Sequence, residues 1–378
     1  MTSFRTTALV LAKVTLGCCA IAAEPEGQPD HAAPVQNPPV VAAFSALDAD
    51  AALAAFSKAF YVVENGKGYF KEDSNGERNH FWTQAEEIEM LLDAWDRTQS
   101  ADVKQQIEES IAGFVDKFGP NWMSNKYNDD LLWMVIATSR AFLMSGKKEY
   151  LDLAKRHFDE TYARAWSTDL DGGLWWITAN NSKNACVNGP GAIAACYLYQ
   201  VLGDGAYLEK AKAIFAWERS HLFNETYGSV RDNMRANGRA TGRPLTYNQG
   251  TFIGAANFLY NLTGDKSYLA DAEKAADFTR DRLCSDGILP GYGGGDGAGF
   301  NSIFIRWLAR YARDQHLWPK YRDWMIRNAN AAWQGRRADG LAWNRWPMPT
   351  PDEVLRAWAC TDAVEILQVV PTPPPPAE

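Results

Sequence analysis

The chain has 378 residues, 46% hydrophobic and 22% charged, enough to bury a sizeable core in one large domain without metals or staples. Its formal net charge of −8 would repel a phosphate backbone over most of the surface. That excludes a nucleic-acid protein or a polybasic membrane-surface protein and suits a neutral substrate. The bias lies in the aromatics, 15 Trp, 15 Tyr and 17 Phe. Their flat faces suit the C–H faces of sugar rings, although burial in the core is the usual fate of a single Trp.

In chain order, residues 1–23 read as an export signal. Arg5 supplies the positive start, Ala8 to Ala23 is an apolar run broken by Lys13, and Ala20-Ile21-Ala22 fits a cleavage site. The run is too short to cross a bilayer, and no later one reaches roughly 18 apolar residues. A secreted, periplasmic or cell-surface protein without a membrane span is therefore expected, with Cys18 or Cys19 leaving a lipid anchor open. Residues 24–41, rich in Pro, Ala and Gln, read as a disordered tether, and 371–378 as a polyproline tail. Residues 42–370 form the folded domain. Cys186, Cys196, Cys284 and Cys360 show neither metal-ligand spacing nor a pairing that sequence can assign.

Within the domain, Gly146…Tyr150-Leu151, Gly203…Tyr207-Leu208 and Gly264…Tyr268-Leu269 recur at a period of about 60 residues, room for two helices and two loops. Each glycine suits a helix C-terminus and each Tyr-Leu opens the next helix. Apolar periodicity predicts helices over Leu47–Tyr61, Trp82–Arg97, Val103–Phe118, Asp129–Met144, Glu149–Ala163 and Cys186–Leu202. A second set spans Ala206–Ser220, Asn248–Thr263, Lys266–Leu283, Phe300–Gln315, Tyr321–Gln334 and Val354–Val369. Twelve helices in six hairpins, with long Gly/Asn/Trp loops alternating with tight turns, predict an all-α, (α/α)6 toroid with a pocket on the long-loop face.

At the start of the fourth helix stands Tyr127-Asn128-Asp129-Asp130-Leu131-Leu132-Trp133. Taken alone, Asn128 caps the helix and the two acids favour its positive end. On a pocket face among Trp-Gly-Asn loops, the pair also matches what glycosidic cleavage needs, a carboxylate and a carboxylic acid. Two adjacent carboxyls resist joint ionisation, which favours a retained proton on one of them. Cα atoms about 3.8 Å apart can place diverging carboxyls near the roughly 5–5.5 Å separation of retaining enzymes.

This segment resembles the Asp-Asp motif of glycoside hydrolase family 76, the endo-α-1,6-mannanases. So, in order, do Trp82-Thr83-Gln84-Ala85-Glu86, Gly172-Gly173-Leu174-Trp175-Trp176, Lys183-Asn184-Ala185-Cys186-Val187-Asn188, Thr246-Tyr247-Asn248-Gln249-Gly250, and Gly293-Gly294-Gly295-Asp296 with Phe300 and Arg306. The resemblance implies an (α/α)6 fold, no metal or cofactor, and retention, with Asp129 as nucleophile and Asp130 as general acid/base. It implies an α-mannan or related α-linked polysaccharide as partner; nothing in the chain suggests an obligate protein partner, and a monomer is expected. The chain departs from the family at Asn301, where a lysine is usual.

Further candidates for sugar contacts are Tyr127, Asn128, Trp175 or Trp176, Asn188, Asp232, Tyr247, Asn248, Gln249 and Asp296, whose amides, hydroxyls and carboxylates suit hydroxyl partners. The five histidines show no Ser-His-Asp arrangement. Rival readings are a sugar epimerase or unsaturated uronide hydrolase on the same scaffold, and a glycan-binding protein without turnover. The motif loops lack the histidine bases an epimerase wants, and both aspartates of the pair are present.

Overall fold

The computed structural model describes residues 41–372; the predicted export signal, all of the tether but Val41, and residues 373–378 lie outside the described residues. Twelve α-helices follow one another among the described residues: α1 Ala46–Phe60, α2 Phe81–Thr98, α3 Ala101–Phe118, α4 Asn128–Ser145, α5 Lys148–Ala165 and α6 Ala185–Leu202. Then come α7 Gly205–His221, α8 Thr246–Thr263, α9 Lys266–Phe278, α10 Phe300–Asp314, α11 Trp318–Gln334 and α12 Ala357–Val369. The local reasons are ordinary ones. Ser45 and Asp48 form a capping box on α1, while Ser100, Asp204 and Asp265 accept from backbone amides at their helix starts. The three repeat glycines Gly146, Gly203 and Gly264 end α4, α6 and α8 in the left-handed region, with φ of 70°, 69° and 75°.

Helices α2, α4, α6, α8, α10 and α12 pack in sequence around a ring, and α12 returns to α2. The outer helices α3, α5, α7 and α9 lie against the inner helix before them, α11 packs on α10 and α12, and α1 covers α12. The ring is thus the expected (α/α)6 toroid. Its last layer is closed by the two ends of the domain.

Differences from the expected boundaries have local causes. Helix α12 begins at Ala357, not Val354, because Arg356 is extended and bridges to Asp73. Helix α11 starts earlier, at Trp318, with Pro319 in its first turn, where a missing amide costs nothing. Residues 279–283 continue α9 as a wider π turn. Two small sheets went unpredicted: a hairpin of β1 Tyr61–Glu64 and β2 Lys67–Phe70, and a sheet of β3 Ser182–Asn184, β4 Asn233–Arg235 and β5 Ala240–Thr241. Strands this short carry too little alternation to read. The four cysteines of the domain are free thiols, and no helix among the described residues is long and apolar enough to cross a membrane.

Charge runs through the centre. Arg306 on α10 holds Glu86 at 2.6 Å, Asp93 at 2.6 Å and Glu365 at 3.3 Å, all buried. Arg140 on α4 holds Glu89 at 3.0 Å and the other oxygen of Asp93 at 2.7 Å. Burial would raise Asp93, but the two guanidiniums outweigh it and hold that carboxyl well below the usual range. Burial wins at Glu86, pushed up to about 7 against the pull of Arg306, and wins further at Glu365, which holds a proton toward Asp93. The network joins α2, α4, α10 and α12. Beyond it, at the C-terminal end of these helices, lies a cavity of about 690 Å³ lined by Arg97, Arg310, Ala46 and Val370 among others.

Replacing Arg306 by Met should leave Glu86 and Glu365 without a cation in the core and Asp93 with Arg140 alone. We expect a loss of about 3–5 kcal/mol of stability in denaturant unfolding. Lys148→Ala, which breaks an exposed pair with Asp152, should change stability by less than about 0.5 kcal/mol.

Candidate active site

The motifs gather because all six inner helices start on one face. Trp82, Asp129, Cys186, Tyr247, Phe300 and Trp358 each lie in the first turn of their helix. The 690 Å³ cavity lies at the opposite end, more than ten residues along α4 from Asp129.

Asn128 does not cap α4. The N-cap is Tyr127, in extended conformation, and Asn128 is the first helical residue, fully buried. Its amide nitrogen donates to the Trp175 carbonyl at 2.7 Å, its amide oxygen accepts from Arg164 at 2.7 Å, and its backbone N–H donates to the Trp176 carbonyl at 2.8 Å. With every polar group spent, Asn128 braces the loop and cannot serve a sugar.

Asp129 and Asp130 follow, both half-buried. Asp129 accepts from the Cys186 thiol at 3.3 Å through one oxygen, and its other oxygen has no partner. The Trp176 indole faces this carboxyl, its N–H not closing a full hydrogen bond to any group. Burial, and then the charge of Asp130, push Asp129 well above the usual carboxylate range, which its weak donors do not offset. Asp130 accepts from Asn125 Nδ2 at 2.8 Å. Burial raises it to about 6, Asn125 opposes, Asp296 adds repulsion and His80 draws it back. The positive helix end favours ionisation of both, yet burial dominates. The pair therefore goes from two protons to one near pH 6 and keeps the second well above that.

Trp176 tilts against Tyr127, with centroids 5.3 Å apart. Trp175 instead packs inward, buried, with the Lys183 ammonium 4.7 Å over its ring; of the two, only Trp176 reaches the cleft. Their loop is held from beneath by Lys183, fully buried, which donates to the carbonyls of Asp169 at 2.6 Å, Ser167 at 3.2 Å and Gly172. Burial lowers its pKa to about 8. Gly173, at φ 81°, leaves no room for a Cβ, which would lie 2.4 Å from the Trp217 ring.

The far wall is Tyr247, stacked on Phe300 at 3.9 Å and donating to Asp232 at 3.3 Å, with Asn248 Nδ2 donating to the same oxygen at 3.0 Å. Tyr247 also reaches the Cys186 thiol, so Asp129, Cys186, Tyr247 and Asp232 are linked in a line. Asn188 and Gln249 are buried and braced to main chain: Asn188 to Leu174 and Asn184, Gln249 to Val230, Gly228 and Ala275. Both hold loops and present nothing to the cleft. Asp296 is exposed at the rim. Asn301, in the first turn of α10, is buried, accepting from Thr246 Oγ1 at 2.9 Å and donating to the Pro290 carbonyl at 3.0 Å.

Asn125, Cys186 and His80 as neighbours of the pair were not singled out from sequence. Asn125 carried one local signal: its side chain accepts from the Tyr127 N–H two residues on, an Asx turn. The other two come from distant segments and leave no local trace.

The family model of glycosyl hydrolase family 76 matches residues 45–369. An alpha-1,6-mannanase from Salegentibacter sp. HEL1_6 superposes with a TM-score of 0.80 at 30% identity, over 86% of this chain and 98% of that one. An inactive variant of that enzyme in complex with alpha-1,6-mannotriose gives 0.80 at 29% identity, with the same coverage. Among curated proteins, a mannan endo-1,6-alpha-mannosidase of Candida glabrata is 28% identical over 58% of this chain, and one of Eremothecium gossypii 26% over 66%. The matches span 54% and 60% of those two relatives' own lengths. With the ring of inner helices and the paired aspartates at its mouth, the match across nearly the whole folded region shows that the chain belongs to glycosyl hydrolase family 76.

Proposed function

We propose that the protein is an exported, retaining glycoside hydrolase that cleaves α-1,6-mannosidic linkages in mannan-type polysaccharide. The observation that carries this reading is the adjacent carboxyl pair Asp129 and Asp130, whose partners differ and which shares one proton around neutral pH. Family membership and the alpha-1,6-mannan specificity of the relatives' names support the substrate.

In this reading Asp129 attacks the anomeric carbon while Asp130 gives its proton to the departing glycosidic oxygen. A mannosyl ester on Asp129 forms and the leaving chain departs. Asp130, now a carboxylate, takes a proton from water, which attacks the ester and frees Asp129 with net retention. In the empty site the retained proton rests with Asp129, which has the weaker donors. Sugar hydroxyls that bind its unpartnered oxygen favour the ionised form and shift the proton to Asp130. Trp176 and Tyr247 flank the pair with flat faces for the ring, and Asp232 supplies an acceptor for hydroxyls.

Incubation with linear α-1,6-mannan should release oligosaccharides whose first-formed anomer, read by NMR, is α; no release by folded protein, or a β product, would overturn the proposal. Asp129→Asn and Asp130→Asn should each lower kcat by on the order of 10³-fold or more while leaving the circular dichroism spectrum unchanged.

The plot of kcat/KM against pH should be bell-shaped. Below about 6 both carboxyls are protonated and no nucleophile exists, so the acid limb lies near that value. The alkaline limb reports loss of the last proton from Asp129, and it should respond to the thiol. Cys186→Ser, a stronger donor, should move that limb to lower pH, and Cys186→Val should move it higher. Limbs that stay put in both variants would show that the thiol does not tune the pair.

A further inference from the structure

The loop between α7 and α8 contains four arginines at intervals of four, Arg231, Arg235, Arg239 and Arg243, all exposed in a chain whose net charge is −8. Among the described residues none of them lies within ion-pair reach of a carboxylate, whereas Arg219 and Arg280 on adjacent elements hold Asp271 and Asp281. Strands β4 and β5 pair Asn233 with Thr241 and Met234 with Ala240. The Arg235 N–H donates to the Arg239 carbonyl at 3.0 Å, which sets these two arginines opposite each other.

Opposed residues of a ladder share a face, and alternate residues along a strand share it too. The Thr241 hydroxyl donates to the Asn233 side chain at 2.6 Å, so this outer face runs through Asn233 and Thr241 to the arginines. The inner face carries Met234, buried, and Asp232, which receives Tyr247 and Asn248 at the cleft. Asn233 Nδ2 also donates to the second oxygen of Asp232 at 2.8 Å, so the hairpin that carries the exposed arginines is tied to the carboxylate at the cleft. Like charges directly opposed across a ladder repel, and here no protein anion relieves them. Arg243 reaches back over the Tyr292 ring, 6.0 Å from its centroid, and Tyr292 packs on the Phe300 that supports Tyr247.

The patch is also close to the chemistry. Arg235 is opposite Ser182 on β3, and the Ser182 carbonyl accepts from the Trp176 backbone N–H at 2.9 Å. Two strand spacings, about 10 Å, separate the Arg235 backbone from the residue whose indole faces Asp129.

We infer that the outer face of the β4–β5 hairpin is an anion-binding site beside the cleft, built on Arg235 and Arg239, that takes phosphate or carboxylate groups carried on the glycan. The planar guanidinium fork suits both groups. The substrate class is then an anionic mannan in preference to a neutral one. This inference rests on the mannan reading of the cleft.

The test uses the full chain and three forms of one linear α-1,6-mannan: unmodified, phosphorylated, and carboxymethylated to the same degree. At low salt KM should be lower for an anionic form by on the order of fivefold. The preference should vanish near 0.5 M salt, where screening acts over a few ångströms. In Arg235→Ser/Arg239→Ser the ratio of neutral to anionic KM should fall to about one; because the readout is a ratio, partial loss of folded protein does not alter it. A preference for the phosphorylated form alone assigns a phosphate site, and an equal preference for both a general anion site. Equal KM for all three mannans in wild type, or a preference that survives in the double variant, overturns the inference. If no mannan is cleaved, the proposed activity fails by itself, and calorimetric titration of Asp129→Asn with the three mannans still decides for or against the hairpin by the same comparison.

Discussion

Two guanidiniums in the core, Arg140 and Arg306, hold the barrel to one geometry. Each reaches across the axis to carboxyls on other inner helices, and each shares Asp93. Four acids and two bases cannot all be charged in so dry a place. The ionisation settles accordingly, with Asp93 ionised and Glu365 holding a proton. Such a network adds little net stability compared with apolar packing, but it penalises any slip of one inner helix against another. A slip would move Asp129 and Asp130, at the mouth, relative to Cys186 and Tyr247 on two other inner helices.

The mouth uses the same physics for another end. At Asp93 in the core, burial is outweighed by two guanidiniums, one on each carboxylate oxygen. At Asp129 the donors are a thiol at 3.3 Å and an indole that falls short, so burial is left uncompensated and the carboxyl stays basic. Asp130 has a single amide at 2.8 Å and sits close to His80, and its shift is smaller. Burial raises both, and differences in depth and in partners separate two chemically identical neighbours.

Much of the architecture was legible in the sequence because it is periodic. The three repeated glycines end helices α4, α6 and α8, and the twelve apolar stripes fall on the twelve helices. The carboxyl pair and Tyr247 were legible as motifs at helix starts. Less could be read where a residue's role depends on distant segments. Glu86, Glu89 and Asp93 on α2 look like a solvated face, yet all are buried, with their arginines coming from 220, 51 and 213 residues away. Asn128, Asn188 and Gln249 look like sugar contacts because amides suit hydroxyls, but amides suit main chain equally well, and each is taken by a loop. Lys183 reads as a cation for the surface, and its three carbonyl partners become neighbours only when the loop folds back over it.

The closure of the ring by α12 against α1 gives the molecule a polarity. Helix α12 starts at the cleft and runs away from it, and α1 runs back beside it, so Ala46 and Val370 both lie by the cavity at the remote end. Residues Val370 to Thr372 lie at that pole, whereas Val41 accepts from Asn330 near the far end of α11. Any attachment made through chain after Thr372 would act at that pole, leaving the mouth and its arginine hairpin turned outward toward polymer.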